Sequence, residues 1–408
     1  MGGNSVSGRR VSRPRSLRTM IDQASPNARR LRSAGGLDVA ARELVVARAG
    51  FRSNVVNEMP SIARWSSSQP RRIFLHPDPV GASGVVPEPP RWSTADDPEH
   101  RPPRVGVAVP AWMSLADRLQ LRAALDPDHQ YSMRILTSTL AAVSGVESGR
   151  PDVDSSTTVL CVDLRIGFSA SVVVTDHAGA TEVGAWGAAP DGADAPARDV
   201  LGLAAMFDVL FTAAAQLPEV SGITEIIVIC YDRATAADVD FALLWCDHPW
   251  ATAPLTLTAG NNLVAGGAAV AAENDAGFQV ASTLTRALEV RTEDDSEEGR
   301  MHVVLPQFTK APHASRLSFD LGPEDGKPLR VEVYEQVGWI PDGHQRDHRL
   351  ILVAHMVRER GFDPDVAVSF VIDADGSFAV GPSRAWNNTW QPGAIELRDL
   401  SASDRLVD

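Results

Sequence analysis

The sequence predicts an α/β region followed by an all-β domain. Three features carry this. From residue 104 to residue 273, apolar runs of strand length alternate with segments whose apolar residues recur at helical spacing. Beyond residue 278 the runs become strand-like, several with period-two alternation, and turn signals such as Asp325-Gly326 and Asp375-Gly376 separate them. The 408 residues are 44% hydrophobic, which is enough length and apolar mass for two or three cored domains.

In chain order, residues 1–34 carry arginine, serine and proline without an apolar period and read as a disordered tail. Gly36–Ala49 reads as two strands with a short interruption, Phe51–Ile62 as extended chain, and Ile73–Leu75 as a short third run. Eight prolines in residues 77–103 make a linker that cannot hold regular structure. Arg104–Val109 is an apolar strand that ends at Pro110, and a helix follows over Met113–Leu125. A second helix is predicted over residues 134–146. Val159–Asp163 and Ser169–Thr175 form strands around a tight turn, and Glu182–Ala188 adds a third. Val200, Leu203, Ala204, Phe207, Leu210, Phe211 and Ala214 give a helical stripe over Asp199–Gln216. Ile223–Tyr231 reads as a buried strand, and Ala236–Trp245 and Asn262–Glu273 as helices. In the β domain, strands are expected at Thr283–Glu289, His302–Pro306, Arg316–Leu321, Leu329–Gln336, Leu350–Arg358, Val366–Ile372 and Ser377–Val380. The domain division is therefore a tail (1–34), an α/β region (35–278), a β-sandwich (279–398) and a C-terminal tail (399–408).

Composition narrows the function classes. No apolar run reaches the roughly 18 residues of a membrane span, and the N-terminus lacks the apolar core of a signal peptide. Cys161, Cys230 and Cys246 are odd in number and widely spaced, which fits small core residues in a reducing cytoplasm. Abundant Ala, Arg, Val, Asp and Gly with few lysines is the composition of a high-GC bacterial genome. The net charge of −14 is unevenly placed: residues 1–32 hold eight arginines and one acid, Asp22. The acidic body argues against specific nucleic-acid binding. The basic tail could meet an anionic membrane or an acidic partner, or be a plain extension, with Met20 an alternative beginning.

The stretch RVGVAVPAWMSLADRLQLRAAL, residues 104–125, resembles the strand, VPA, aromatic and helix element of DnaK-type heat-shock chaperones. Asp365–Val380, DVAVSFVIDADGSFAV, is similar to that family's "xixVtFdiDanGilxVsA". Weaker likenesses fall in the same order. Gly36–Ala49 sits where the family has its first phosphate loop, and Thr158–Val174 where it has the second. Residues 57–63 resemble the "PSxVaf" strand, Ile223–Arg233 the adenosine strand, and Asn262–Glu273 the "eaVAxGAAxqa" helix. His302–Lys310 and Leu317–Gly338 resemble strands of the peptide-binding domain. The resemblance implies an actin-like, ribonuclease-H-like ATPase-type domain followed by a chaperone-like β-sandwich, shortened in both upper lobes and without a helical lid.

The same resemblance implies that the chemistry is gone. Phosphate loops need glycines, because the anion must approach backbone N–H groups closely. The first turn here has Ala40, Ala41, Arg42 and Glu43; the second has Leu164, Arg165, Ile166 and Phe168 around the single Gly167. Ile166 and Phe168 are expected to fill phosphate space, and Glu43 to repel phosphate. Ser138 and Thr139 stand where the family has glutamate and proline, and the first lysine in the chain is Lys310. Asp38 and Asp163 match the family's two magnesium-managing acids; the plain alternative is strand-terminal aspartates that accept turn N–H bonds. Arg165 could bind an anion or fill the empty site with its own guanidinium. The vestigial nucleotide positions are thus Asp38, Asp163, Arg165, Gly167, Gly266 and Gly267. In the sandwich, Leu329, Val331 and Val333 match a peptide-channel wall and equally suit a plain core.

His344, Asp347 and His348 have metal-like spacing in a polar loop without a thiol. Asn387-Asn388-Thr389 is a glycosylation pattern without meaning in a cytoplasm, and Trp386 and Trp390 suit strand packing or a contact surface. The expected function is a catalytically degenerate DnaK-like scaffold or regulator that binds a protein segment, with no catalytic residue, no metal and no cofactor. The alternatives are an active ATP-dependent chaperone and a membrane- or envelope-associated factor recruited by its basic tail.

Overall fold

The computed structural model describes residues 33–38, 43–48, 57–58, 104–125, 132–147, 156–189, 197, 199–230, 233–258, 262–273, 279–292, 301–320, 329–337, 347–358, 365–382 and 390–397. The arginine-rich tail, the proline-rich linker, Ile73–Leu75, the turn at Ala40–Arg42, His344, Trp386 and Asn387-Asn388-Thr389 lie outside them.

Two sheets repeat one arrangement. In the first, β1 (Ser33–Asp38), β2 (Glu43–Arg48) and β3 (Asn57–Glu58) form an antiparallel meander. β4 (Arg104–Val109) then pairs parallel to β1, and β5 (Ser132–Thr137) parallel to β4. In the second, β6 (Thr157–Asp163), β7 (Phe168–Asp176) and β8 (Gly179–Ala188) form the meander. β9 (Glu225–Ile229) pairs parallel to β6, and β10 (Leu255–Thr258) parallel to β9. Within each unit of five strands the spatial order is therefore three-two-one-four-five. β11 (Gln279–Ala281) adds to the far edge beside β8, so the second sheet runs just past residue 278.

Helices α1 (Leu115–Leu125), α2 (Ser138–Glu147), α3 (Val200–Ala215), α4 (Arg233–Leu244) and α5 (Asn262–Glu273) link these strands. Asp199 caps α3 through a bond from the Gly202 N–H, 2.7 Å long. The helix over 134–146 begins only at Ser138, because residues 132–137 form β5. A parallel strand buried on both faces reads as a continuous apolar run, which periodicity does not separate from a buried helix. β10 and β11 are only 4 and 3 residues long, too short for periodicity to single them out.

α5 lies against the first sheet and α2 against the second, and the two helices pack on each other. Small residues allow the close approach. A Cβ on Gly36 of β1 would land 1.8 Å from the Ala265 carbonyl oxygen of α5. One on Gly267 would land 1.7 Å from the Ala141 oxygen of α2.

The β-rich part holds β12 (Leu288–Thr292), β13 (His302–Leu305), β15 (Leu329–Val337), β16 (Asp347–Arg358) and β19 (Trp390–Leu397) in one antiparallel sheet. β14 (His313–Asp320), β17 (Asp365–Ile372) and β18 (Phe378–Pro382) form another. One apolar cluster draws on both sheets, including Val290, Val331, Val333, Leu352, Val368 and Phe370. The chain is thus an α/β part with two sheets plus a β-rich part. No helix among the described residues is long and apolar enough to cross a membrane.

Candidate functional site: two strand-end aspartates clamped by an arginine

Asp38 is the last residue of β1 and Asp163 the last of β6, so each ends the first strand of its sheet. The repeated topology brings these equivalent ends together. Arg165, in the turn after β6, joins them. Its Nε and Nη2 donate to Asp163 Oδ1 and Oδ2 at 2.9 and 2.8 Å, a bidentate fork, and its Nη1 donates to Asp38 Oδ2 at 2.6 Å. The Arg165 N–H also donates to Asp163 Oδ1 at 3.1 Å. All three side chains are buried, none more than 4% exposed. Burial by itself lowers the Arg165 pKa; the Asp163 bonds and charge, then Asp38, outweigh it and hold the guanidinium well above its ordinary value. It is a permanent cation clamped by two carboxylates.

The loop around Arg165 is fixed from several sides. The Leu164 N–H donates to the Ile229 carbonyl at 2.9 Å. The Trp112 indole donates to the Ile166 carbonyl at 3.0 Å, and the Ala111 N–H to Ser169 Oγ at 2.9 Å. The VPA-aromatic turn therefore latches the first sheet's end to the second sheet's loop. Gly167 has φ 63°, a conformation that costs a side-chain-bearing residue about 1 kcal/mol or more.

Phe168 does not fill phosphate space. It is 1% exposed and belongs to the core between the second sheet and α3. Arg165 is the group that occupies the junction of the two aspartates, and Ile166 is only half-buried beside it. Gly267 sits at the α2 crossing described above, with half-buried Gly266 before it, so packing accounts for that glycine without a nucleotide. Leu329, Val331 and Val333 are 6%, 0% and 0% exposed and lie inside the core cluster shared by the two antiparallel sheets. His348 Nδ1 lies 2.9 Å from Glu289 Oε2, an ordinary side-chain pair.

Glu182 and Glu335 are buried acids that were not singled out from sequence. Glu182, on β8, accepts from Thr137 Oγ1 at 2.5 Å, Ser171 Oγ at 2.6 Å and the Thr283 N–H at 3.2 Å. It ties the end of β5, the second sheet and the approach to the β-rich part. Burial raises its pKa, against the opposing pull of those donors. With its oxygens already accepting these bonds, it is a junction and not a base awaiting substrate. Glu335 continues the inward face of Leu329, Val331 and Val333, and burial raises its pKa too. Its Oε1 accepts the Leu115 N–H at the start of α1, and its Oε2 lies 3.5 Å from Arg286 Nη1. The signals were present: one acid inside a small-residue strand, and one at a period-two core position.

Further contacts fix the β-rich part on the α/β part. Leu115 and Ala116 of α1 belong to the sandwich core cluster. Arg122 Nη2 donates to Asp375 Oδ2 at 2.6 Å, and the Ile135 N–H donates to the Asp375 carbonyl at 3.0 Å. Gly376, φ 80°, makes the turn that brings this hairpin against β5. Trp186 of the second sheet meets Phe308 edge-on at 5.3 Å.

No known family profile matches the chain, and no curated protein does. Among solved structures it is similar to an inorganic polyphosphate/ATP-glucomannokinase from Arthrobacter sp. strain KM. The match has 14% identity and a TM-score of 0.32, covering 59% of this chain and 97% of that one. A likeness this loose carries no argument about either fold or activity.

Proposed function

We propose that this protein is a catalytically silent DnaK-like scaffold that holds a protein partner without an ATP cycle. The buried Asp38–Arg165–Asp163 clamp is the observation that carries the reading. An actin-like phosphotransfer site needs its two strand-end carboxylates for a metal ion and its turn backbones for phosphate. Here a tethered guanidinium takes the carboxylates, and the turn that would cradle phosphate keeps one glycine. A magnesium ion would have to displace a bidentate, buried ion pair, which costs several kcal/mol to break.

The repeated three-two-one-four-five sheets support an actin-like, ribonuclease-H-like pair of halves. The two antiparallel sheets fall at the sequence position of a chaperone's peptide-binding domain. The apolar seam at α1 and the Arg122–Asp375 pair favour one docked arrangement. A ligand with no preference between two arrangements cannot shift them, and an Asp38–Asp163 junction filled by Arg165 gives a nucleotide little to prefer. Since Leu329, Val331 and Val333 are core, the partner is held on an outer surface. Cys161, Cys230 and Cys246 stand outside any disulfide, which suits work in the cytoplasm.

Calorimetry with magnesium-ATP should give no micromolar binding, and X-ray scattering should be unchanged by ATP or ADP. Micromolar affinity together with a changed scattering profile would overturn the proposal in favour of an active chaperone.

A further inference from the structure

α4 is apolar on both sides. Val239, Ala242 and Leu243 are buried in the core against α3. Phe241, Leu244 and Trp245, at i, i+3 and i+4, share the opposite face and are 57%, 77% and 67% exposed. The Cys246 Sγ donates to the Ala204 carbonyl, which places the C-terminal end of α4 beside the first turns of α3. Leu201, one turn before Ala204, is 65% exposed at that same end. Surface helices normally turn one apolar stripe inward and keep the other face polar. A cluster of this kind marks a contact site.

The surroundings say what fits it. Asp199, Asp208, Asp238, Asp240 and Asp247 lie on or at the ends of α3 and α4, and the one basic residue in those two segments is Arg233. Asp240 and Asp247 are exposed on or just after α4, and Asp208 and Asp247 act on Cys246 beside the cluster. A second copy would set this acidic rim against itself. Residues 1–32 carry the opposite charge: eight arginines against Asp22, with Val11, Leu17, Met20, Ile21 and Leu31 among them.

We propose that the exposed α4 face, with Leu201 of α3, is the docking site of this chain's own arginine-rich N-terminal segment, residues 1–32. The tether makes this feasible. β1 begins at Ser33. The 32 residues before it can span up to about 100 Å, against a radius of gyration of about 22 Å for a compact chain of this length. Attachment in the same chain supplies an effective concentration of the order of millimolar, so weak docking suffices. The arginines meet the carboxylate rim while the apolar side chains cover Phe241, Leu244 and Trp245. This reading is independent of whether the cleft binds nucleotide.

Trypsin cuts after arginine, so it reads the segment directly in the full chain. Cleavage within residues 9–32 should be about tenfold faster in a Leu244→Ser/Trp245→Ser variant than in the native protein if docking holds nine-tenths of the molecules. High salt should release the native segment likewise, because exposed charges are screened within about 8 Å at physiological ionic strength. Equal cleavage rates in a variant with an unchanged Tm would overturn the proposal. If that variant fails to fold, a photo-cross-linking phenylalanine derivative at Phe241 in the full chain decides. Cross-links within one chain to peptides of residues 1–32 support the proposal. Cross-links to a second copy, to other segments or to nothing overturn it.

Discussion

Replacing Arg165 with methionine tests the buried clamp most directly. The change keeps an apolar stem of similar length and removes only the guanidinium. It strips Asp163 of two charge-assisted bonds and Asp38 of one, in a site where the two acids are 3% and 0% exposed. Removing one partner from a buried ion cluster costs about 3–5 kcal/mol, because the remaining charges stay desolvated and lose their cation. Unfolding entropy of about 2 cal/mol/K per residue turns 4 kcal/mol into a fall in Tm of about 5 °C for a chain of this length. An Asp38→Asn/Asp163→Asn/Arg165→Met triple variant should recover most of the loss, since well-packed neutral groups can replace buried charges at little cost. Differential scanning calorimetry of the three proteins gives the answer. A deficit below about 1 kcal/mol, or one that the triple variant does not relieve, would refute the clamp as described.

Gly267→Ala should destabilise by the ~1–3 kcal/mol of an overpacked core, seen in urea melts, because its Cβ would strike the Ala141 carbonyl at the α2–α5 crossing. Glu182→Gln should flatten the dependence of Tm on pH. Burial raises the folded pKa of Glu182, so its contribution is complete below about pH 4.3 and is lost as pH rises through the raised value, whereas glutamine does not titrate. Glu335→Gln should act with the same sign. Arg122→Ala removes a half-exposed pair worth about 1 kcal/mol or less, so Tm should barely move, while hydrogen exchange at the Ile135 amide should accelerate as the β17–β18 hairpin loosens.

Local chemistry made much of the chain legible. The stripe of Val200, Leu203, Phe207, Leu210 and Phe211 has one stable use, an amphipathic helix, and α3 runs over Val200–Ala215. Asn262–Glu273 is a helix with those same ends. Asp375-Gly376 forms a turn because the backbone there needs positive φ. The two aspartates and Arg165 were visible as a possible self-filled site, since a carboxylate at each strand end and a guanidinium two residues on are local facts. Where they point was not. Asp38 and Asp163 are 125 residues apart in sequence, and only the repetition of one sheet arrangement in two halves carries Arg165 to both.

Burial direction was equally beyond reach. Phe168 looked like a plug for the cleft and turned into the core behind it, because it opens β7 with its side chain on the α3 side of the sheet. Leu329, Val331 and Val333 alternate as either a channel wall or a core would, and the cluster shared by the two sheets and α1 decided for the core. Amphipathic helix stripes, tight turns and the uneven charge are legible in the sequence, because these depend on neighbours a few residues away. The tertiary structure alone decided which charges meet, which apolar faces are covered, and that Glu182 and Glu335 lie at the junctions, because those depend on contacts between segments a hundred or more residues apart.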